Sequence, residues 1–130
     1  MAHQFRKHYT RAQARRLLPE VRQWLKRLSD LRAALEELDK RLEIVRTPGA
    51  DLGGDVVNNW VRTIAELKNV LMEFFQREIQ IKDLQRGLID FPAIIGGREV
   101  FLCWEEGEED IEFWHELDSG YSGREKLEGE

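Results

Sequence analysis

An apolar seam constrains this chain more than any other feature. Leu17, Val21, Trp24, Leu28, Leu31, Leu35, Leu38, Leu42 and Val45 follow one another at spacings of four and three. Alternating fours and threes place every side chain on one stripe of an α-helix. Held for four heptads, the pattern is that of a helix packed lengthwise against another. No two-residue alternation competes with it. Thr10-Arg11-Ala12-Gln13 opens the helix as a capping box, in which the hydroxyl and the side-chain amide satisfy each other's backbone N–H. Pro19 removes one backbone donor and presses on the preceding turn, which predicts a kink between Arg15 and Pro19. Thr47-Pro48-Gly49 stops the helix.

A glycine-rich loop over residues 47–55 follows, with Asp55 as a candidate N-cap. The second seam reads Val57, Trp60, Ile64, Leu67, Leu71 and Phe74, and it fails at Glu78. A short connection makes the two helices antiparallel neighbours. At about 1.5 Å per residue the first seam runs roughly 42 Å and the second roughly 26 Å. Pairing Val45 with Val57 places Leu28 near Phe74 and leaves Leu17, Val21 and Trp24 without a helical partner. The chain after residue 79 is positioned to cover them. Leu18, Leu25, Val61, Met72 and Phe75 lie beyond the seams, and that surplus predicts a homodimer through apolar helix faces.

The C-terminal third changes period. Ile79 and Ile81 alternate with polar residues. Gly87-Leu88-Ile89-Asp90-Phe91-Pro92 reads as a strand, Gly96-Gly97 as a turn, and Arg98–Glu105 as a central strand apolar on both faces. Asp110–His115 reads as a last strand. A four-residue loop pairs Glu105 with Asp110 and Leu102 with Phe113, whereas a register shift of one reverses the faces, and the sequence leaves that choice open. The predicted fold is α+β, mainly α: a long, coiled-coil-like antiparallel two-helix hairpin with a small antiparallel β cap. It forms one domain over 1–130, with 1–78 as hairpin and 79–130 as cap.

Charge is distributed unevenly. Residues 1–27 hold eight Lys/Arg and one acid, while residues 99–130 hold two and twelve. The basic stretch of the first helix is therefore expected beside the acidic cap. The single cysteine excludes an intramolecular disulfide and a structural zinc site built on several cysteines. Met1 to Thr10 lacks an apolar core, and no apolar run reaches 18 residues, so a cytoplasmic protein without a membrane span is expected. The acidic whole and the scarcity of aromatics in the basic run argue against nucleic-acid binding.

The residues with chemical potential gather in the cap: Lys82, Asp83, Asp90, Arg98, Cys103, Glu108, His115 and Arg124. Cys103 reads first as a small buried hydrophobe. In the four-residue register His115 points away from it, which opposes a Cys–His dyad. His115 serves as a general base, as a metal ligand, or as a loop anchor on a neighbouring carboxylate. With Asp83, Asp90 or Glu108 it offers ligands to a divalent ion, at spacings that match no established pattern. Asp90 lies in an apolar stretch and needs a cation, which Arg98, Arg124 or Lys82 supplies, or it belongs to a binding site. The acids Glu105–Glu112 read as a solvated hairpin tip.

These pieces align with a family. Phe5 before Thr10, Leu17-Leu18-Pro19, Lys82-Asp83, Gly87 to Ala93, Gly97-Arg98, Leu102-Cys103-Trp104, Gly107-Glu108, Trp114-His115, Gly120-Tyr121 and Gly123-Arg124 span nearly the whole chain. In these residues the chain resembles the prokaryotic domain-of-unknown-function family 2203. Glu105-Glu106 depart from the family's basic and apolar pair, and the segment before Lys82 lacks its glycine. The resemblance implies a small protein, helical first and capped afterwards, and supplies no activity, cofactor or substrate. Two functions follow from the residues. One is a non-enzymatic interaction or scaffold module that dimerises and can engage another protein partner. The other is a small enzyme or a metal- or ligand-binding protein with its polar site in the cap.

Overall fold

A computed structural model describes residues 3–45 and 54–128. Helix α1 spans Arg11–Val45 and α2 spans Gly54–Gln76. Five strands follow: β1 Gln80–Asp83, β2 Leu88–Ile95, β3 Arg98–Glu105, β4 Phe113–Glu116 and β5 Glu125–Lys126, with a 3-10 turn at Tyr121–Gly123 before the last. They form one antiparallel meander in the order β1-β2-β3-β4-β5. The mainly helical α+β hairpin and cap therefore stand as read. The sequence's stop signal at Thr47-Pro48-Gly49 and most of the inter-helix loop lie outside the described residues.

Local chemistry explains the helix ends. The capping box forms, with the Gln13 N–H donating to Thr10 Oγ1 at 3.1 Å and the Thr10 N–H donating to Gln13 Oε1 at 3.0 Å. The helix continues through Pro19 without interruption. Helix α2 begins at Gly54, so Asp55 sits inside the first turn. At the other end the Ile79 N–H reaches the Phe74 carbonyl and the Glu78 N–H reaches Phe75, the bonding of a Schellman cap. Glu78 takes the left-handed conformation there, at φ 59°. Glycine would hold this conformation at lower cost, but the Glu78 carboxylate accepts the Arg6 and Lys7 N–H groups at 2.9 and 2.7 Å.

Helix packing departs from the seams in two respects. On α1 the cap covers Ala14, Leu18, Val21, Leu25 and Leu28, with Leu17 and Trp24 only partly buried. Leu18 and Leu25, read from sequence as surplus, are core residues. On α2 the covered residues are Val56 and Phe74, with Trp60, Thr63, Leu67 and Val70 partly so, while Val57, Ile64 and Leu71 are exposed. The pairing also slides by about a turn. Trp24 meets Phe74 edge-on at 5.3 Å and has Arg77 over its ring, so it has a helical partner after all. Trp60 Nε1 donates to Asp39 at 2.9 Å, and Arg27 pairs with Glu66.

One face of the sheet completes the core. Ile89, Phe91, Ala93, Val100, Leu102 and Trp104 lie against α1, with Ile111 buried beside them. The basic helix lies along the acidic cap, as expected. Arg15 grips Asp110 through two hydrogen bonds of 2.8 and 3.0 Å, Arg11 adds a contact at 3.4 Å, and Arg22 reaches the Glu108 and Glu109 carbonyls. The opposite face carries Leu88, Asp90, Pro92, Phe101, Cys103 and His115. The N-terminal segment lies on it, with Phe5 against Phe101. Glu99 anchors that segment by accepting the Gln4 and Phe5 N–H groups and binding His8.

Candidate functional site in the cap

Register creates the site. Strand β4 pairs with β3 as Phe101↔His115, Leu102↔Trp114 and Cys103↔Phe113, one residue away from the register of a four-residue loop. The loop is longer because Ile111 leaves the ladder and buries in the helix-facing core. The turn itself is held by Trp104 Nε1 donating to the Glu108 carbonyl at 2.9 Å and by the Glu108 N–H on Glu105. A shift of one residue moves every side chain of a strand to the other face. His115 thus lies on the same face as Cys103, contrary to the sequence expectation. Asp90 pairs with Cys103 across β2 and β3 and joins them.

Asp90 and His115 are the buried polar residues of the described chain, 1% and 3% exposed. His115 Nε2 lies 2.9 Å from Asp90 Oδ2, and Nδ1 lies 2.7 Å from the Glu116 carbonyl. A carbonyl only accepts, so Nδ1 carries a proton, and the Nε2–Oδ2 contact holds one more proton shared by the pair. Burial raises the Asp90 pKa above the ordinary carboxylate value, against the pull of His115 and Lys82. Burial, reinforced by the Asp90 carboxyl, pushes the Cys103 thiol up to about 12. Such a thiol is almost wholly protonated at neutral pH and is a poor nucleophile.

The three residues line a cavity of about 150 Å³ with Lys82, Leu88, Ser119, Gly120 and Tyr121. Lys82 lies with its Nζ 4.9 Å from the Phe101 ring centre. Of the sequence-derived candidates, Lys82, Asp90, Cys103 and His115 therefore converge. Asp83 instead caps the Arg86 N–H, and Arg98 pairs with Glu116 at the sheet margin. Arg124 and Glu108 pair with each other outside the cavity. Arg124 still bears on the site, because it and Arg86 both stack on Tyr121, at 4.6 and 4.3 Å. Sequence reasoning missed Ser119 and Tyr121 as lining residues. It also missed the N-terminal segment, for which aromatic Phe5 and Tyr9 in a polar stretch were the only signal.

Residues 7–127 match the model of a family described as Uncharacterized conserved protein (DUF2203). This chain belongs to the DUF2203 family. Neither a curated protein nor a solved structure matches it. Among the described residues of this DUF2203 protein, no helix is long and apolar enough to cross a membrane.

Proposed function

We propose that this DUF2203 protein is a non-enzymatic interaction module that self-associates along α2. One observation carries the reading: α2 exposes Val57, Val61, Ile64, Leu71, Met72 and Phe75 on a single stripe, with Phe75 75% exposed. At about 100° per residue this stripe lies about 100° around the helix from the face packed on α1. Its exposed area is roughly 500 Å² per copy, so two copies bury roughly 1,000 Å², the lower bound for a specific interface. Two antiparallel α2 helices related by a two-fold near Glu66 set Val57 opposite Phe75 and Val61 opposite Leu71. Ile64 then meets the aliphatic stem of Lys68. Heptad spacing makes this a short coiled-coil contact.

A cytoplasmic setting fits the free, buried Cys103. Nucleic-acid binding is disfavoured because Arg11, Arg15 and Arg22 engage the acidic cap. Sedimentation velocity over a concentration series tests the dimer. The 15.3 kDa chain is expected to double in mass at high micromolar concentration, and Val61→Glu is expected to hold it monomeric with helicity unchanged. A monomer at every concentration overturns the reading. A second reading, a metal- or ligand-binding protein or small enzyme with its site in the cap, is favoured by the convergence of Asp90, Cys103 and His115 on one cavity.

A further inference from the structure

Leaving a carboxylate oxygen buried without a partner costs on the order of 1–3 kcal/mol. Asp90 Oδ1 is such an atom. The weakly donating Cys103 thiol lies beside the carboxyl. One carboxylate oxygen of Asp90, Cys103 Sγ and one ring nitrogen of His115 all lie within 4.8 Å of one another, and His115 Nε2 is the nitrogen that faces Asp90. Ligand atoms around a tetrahedral ion with bonds of about 2.0–2.3 Å stand roughly 3.3–3.8 Å apart, so side-chain shifts of about 1 Å close the set.

The histidine is prepared for this role. Its Nδ1–H is committed to the Glu116 carbonyl, which leaves the Nε2 lone pair for the cavity once the proton shared with Asp90 is gone. A metal-bound histidine ordinarily has this arrangement, donating its remote N–H to a carbonyl or carboxylate. The basic partner that meets Asp90 directly is His115, while Lys82 is held over Phe101.

We propose that Asp90, Cys103 and His115 bind one divalent metal ion of the zinc type, with the fourth coordination position opening into the cavity under Tyr121. The mixed oxygen, thiolate and imidazole set selects a borderline ion such as Zn²⁺ or Co²⁺ over the harder Mg²⁺ or Ca²⁺. Metal binding displaces the Cys103 thiol proton and the proton shared by Asp90 and His115 to solvent. The two anionic ligands then neutralise the dication and leave Lys82 as the charged residue among the described residues that line the cavity. Three protein ligands and an open position are the arrangement in which zinc holds a water or a small ligand. The inference rests on the cap-site reading and is independent of the dimer, which metal-free protein still tests.

His3, His8 and Glu99 also bring three ligand atoms within the same distance. There, however, His3 is exposed and both Glu99 oxygens already accept hydrogen bonds. The experiment separates the two clusters. Chelator-stripped protein is titrated with Co²⁺ and followed by absorption, then competed with Zn²⁺. The expected result is one equivalent bound with a thiolate-to-cobalt charge-transfer band, displaced by zinc and unchanged in His8→Ala. Cys103→Ser abolishes the band. Asp90→Asn, checked for fold by circular dichroism, weakens zinc binding by more than the roughly 10–100-fold that loss of an outer partner costs. Absence of binding, cobalt bound without the thiolate band, or zinc affinity unchanged in Asp90→Asn overturns the proposal.

Discussion

Substituting His115 by alanine tests the polar centre of the cap. His115 is 3% exposed and Asp90 1%, so the variant leaves a buried carboxyl with only the weakly donating Cys103 thiol beside it. Removing one partner of a buried ionic pair costs about 3–5 kcal/mol, since the other group keeps its lost hydration without compensation. The chain's total stability is on the order of 5–15 kcal/mol, so the effect is large. With a urea slope of about 2 kcal/mol per molar, the unfolding midpoint drops by about 2 M. Replacing both Asp90 and His115 by leucine removes the polar atoms together and is expected to cost less than His115→Ala alone. The assay is urea unfolding in chelator, followed by circular dichroism, run as a double-mutant cycle. A cost below about 1 kcal/mol for His115→Ala refutes the reasoning. So does strict additivity of the two sites.

Other perturbations test the rest of the fold. Leu25→Ala is expected to cost about 2–5 kcal/mol because the side chain is in the core, whereas Val61→Ala on the exposed stripe leaves the monomer's unfolding midpoint nearly unchanged. Equal effects would contradict the assigned faces. Gly87→Ala should destabilise by about 1–3 kcal/mol: the backbone sits at φ 66°, and a Cβ would meet Glu106 Cβ at 2.6 Å. A neutral result in thermal unfolding would show that β2 enters the sheet differently. Burial works to raise the Glu99 pKa, but His8 and the Gln4 and Phe5 N–H groups outweigh it and hold the carboxyl at about 2. A depressed folded-state pKa gives stability that is full above pH 4.5 and is lost as pH falls toward 2. Glu99→Gln should flatten that stretch of the stability–pH curve, and an unchanged slope would count against the anchor.

Much of this architecture is legible in the sequence because the signals are local and periodic. The Thr10–Gln13 box, the helix lengths, the Gly96-Gly97 hairpin and strand β3 all follow from spacing and turn chemistry within a few residues. Both turn glycines take positive φ, at 58° and 78°, which the primed two-residue turn requires. The docking of the cap on the start of α1 also followed from the unequal seams, because Leu17, Val21 and Trp24 were left without a helical partner; of these the cap buries Val21 fully, while Trp24 also meets Phe74.

Tertiary structure decided which neighbours share a face. An amphipathic stripe about 100° wide tolerates rotation, so Leu18 and Leu25 turned inward when the sheet packed on α1, and Val57, Ile64 and Leu71 turned out. The hairpin between β3 and β4 was open for a similar reason. Strand β3 is apolar on both faces, and its pattern favours neither register. Ile111 broke the tie by burying in the core instead of pairing. That single residue of slip carried His115 to the side of Asp90 and Cys103. The candidate site thus uses residues visible in the sequence, but their meeting depends on a burial choice between distant elements, which local periodicity does not encode.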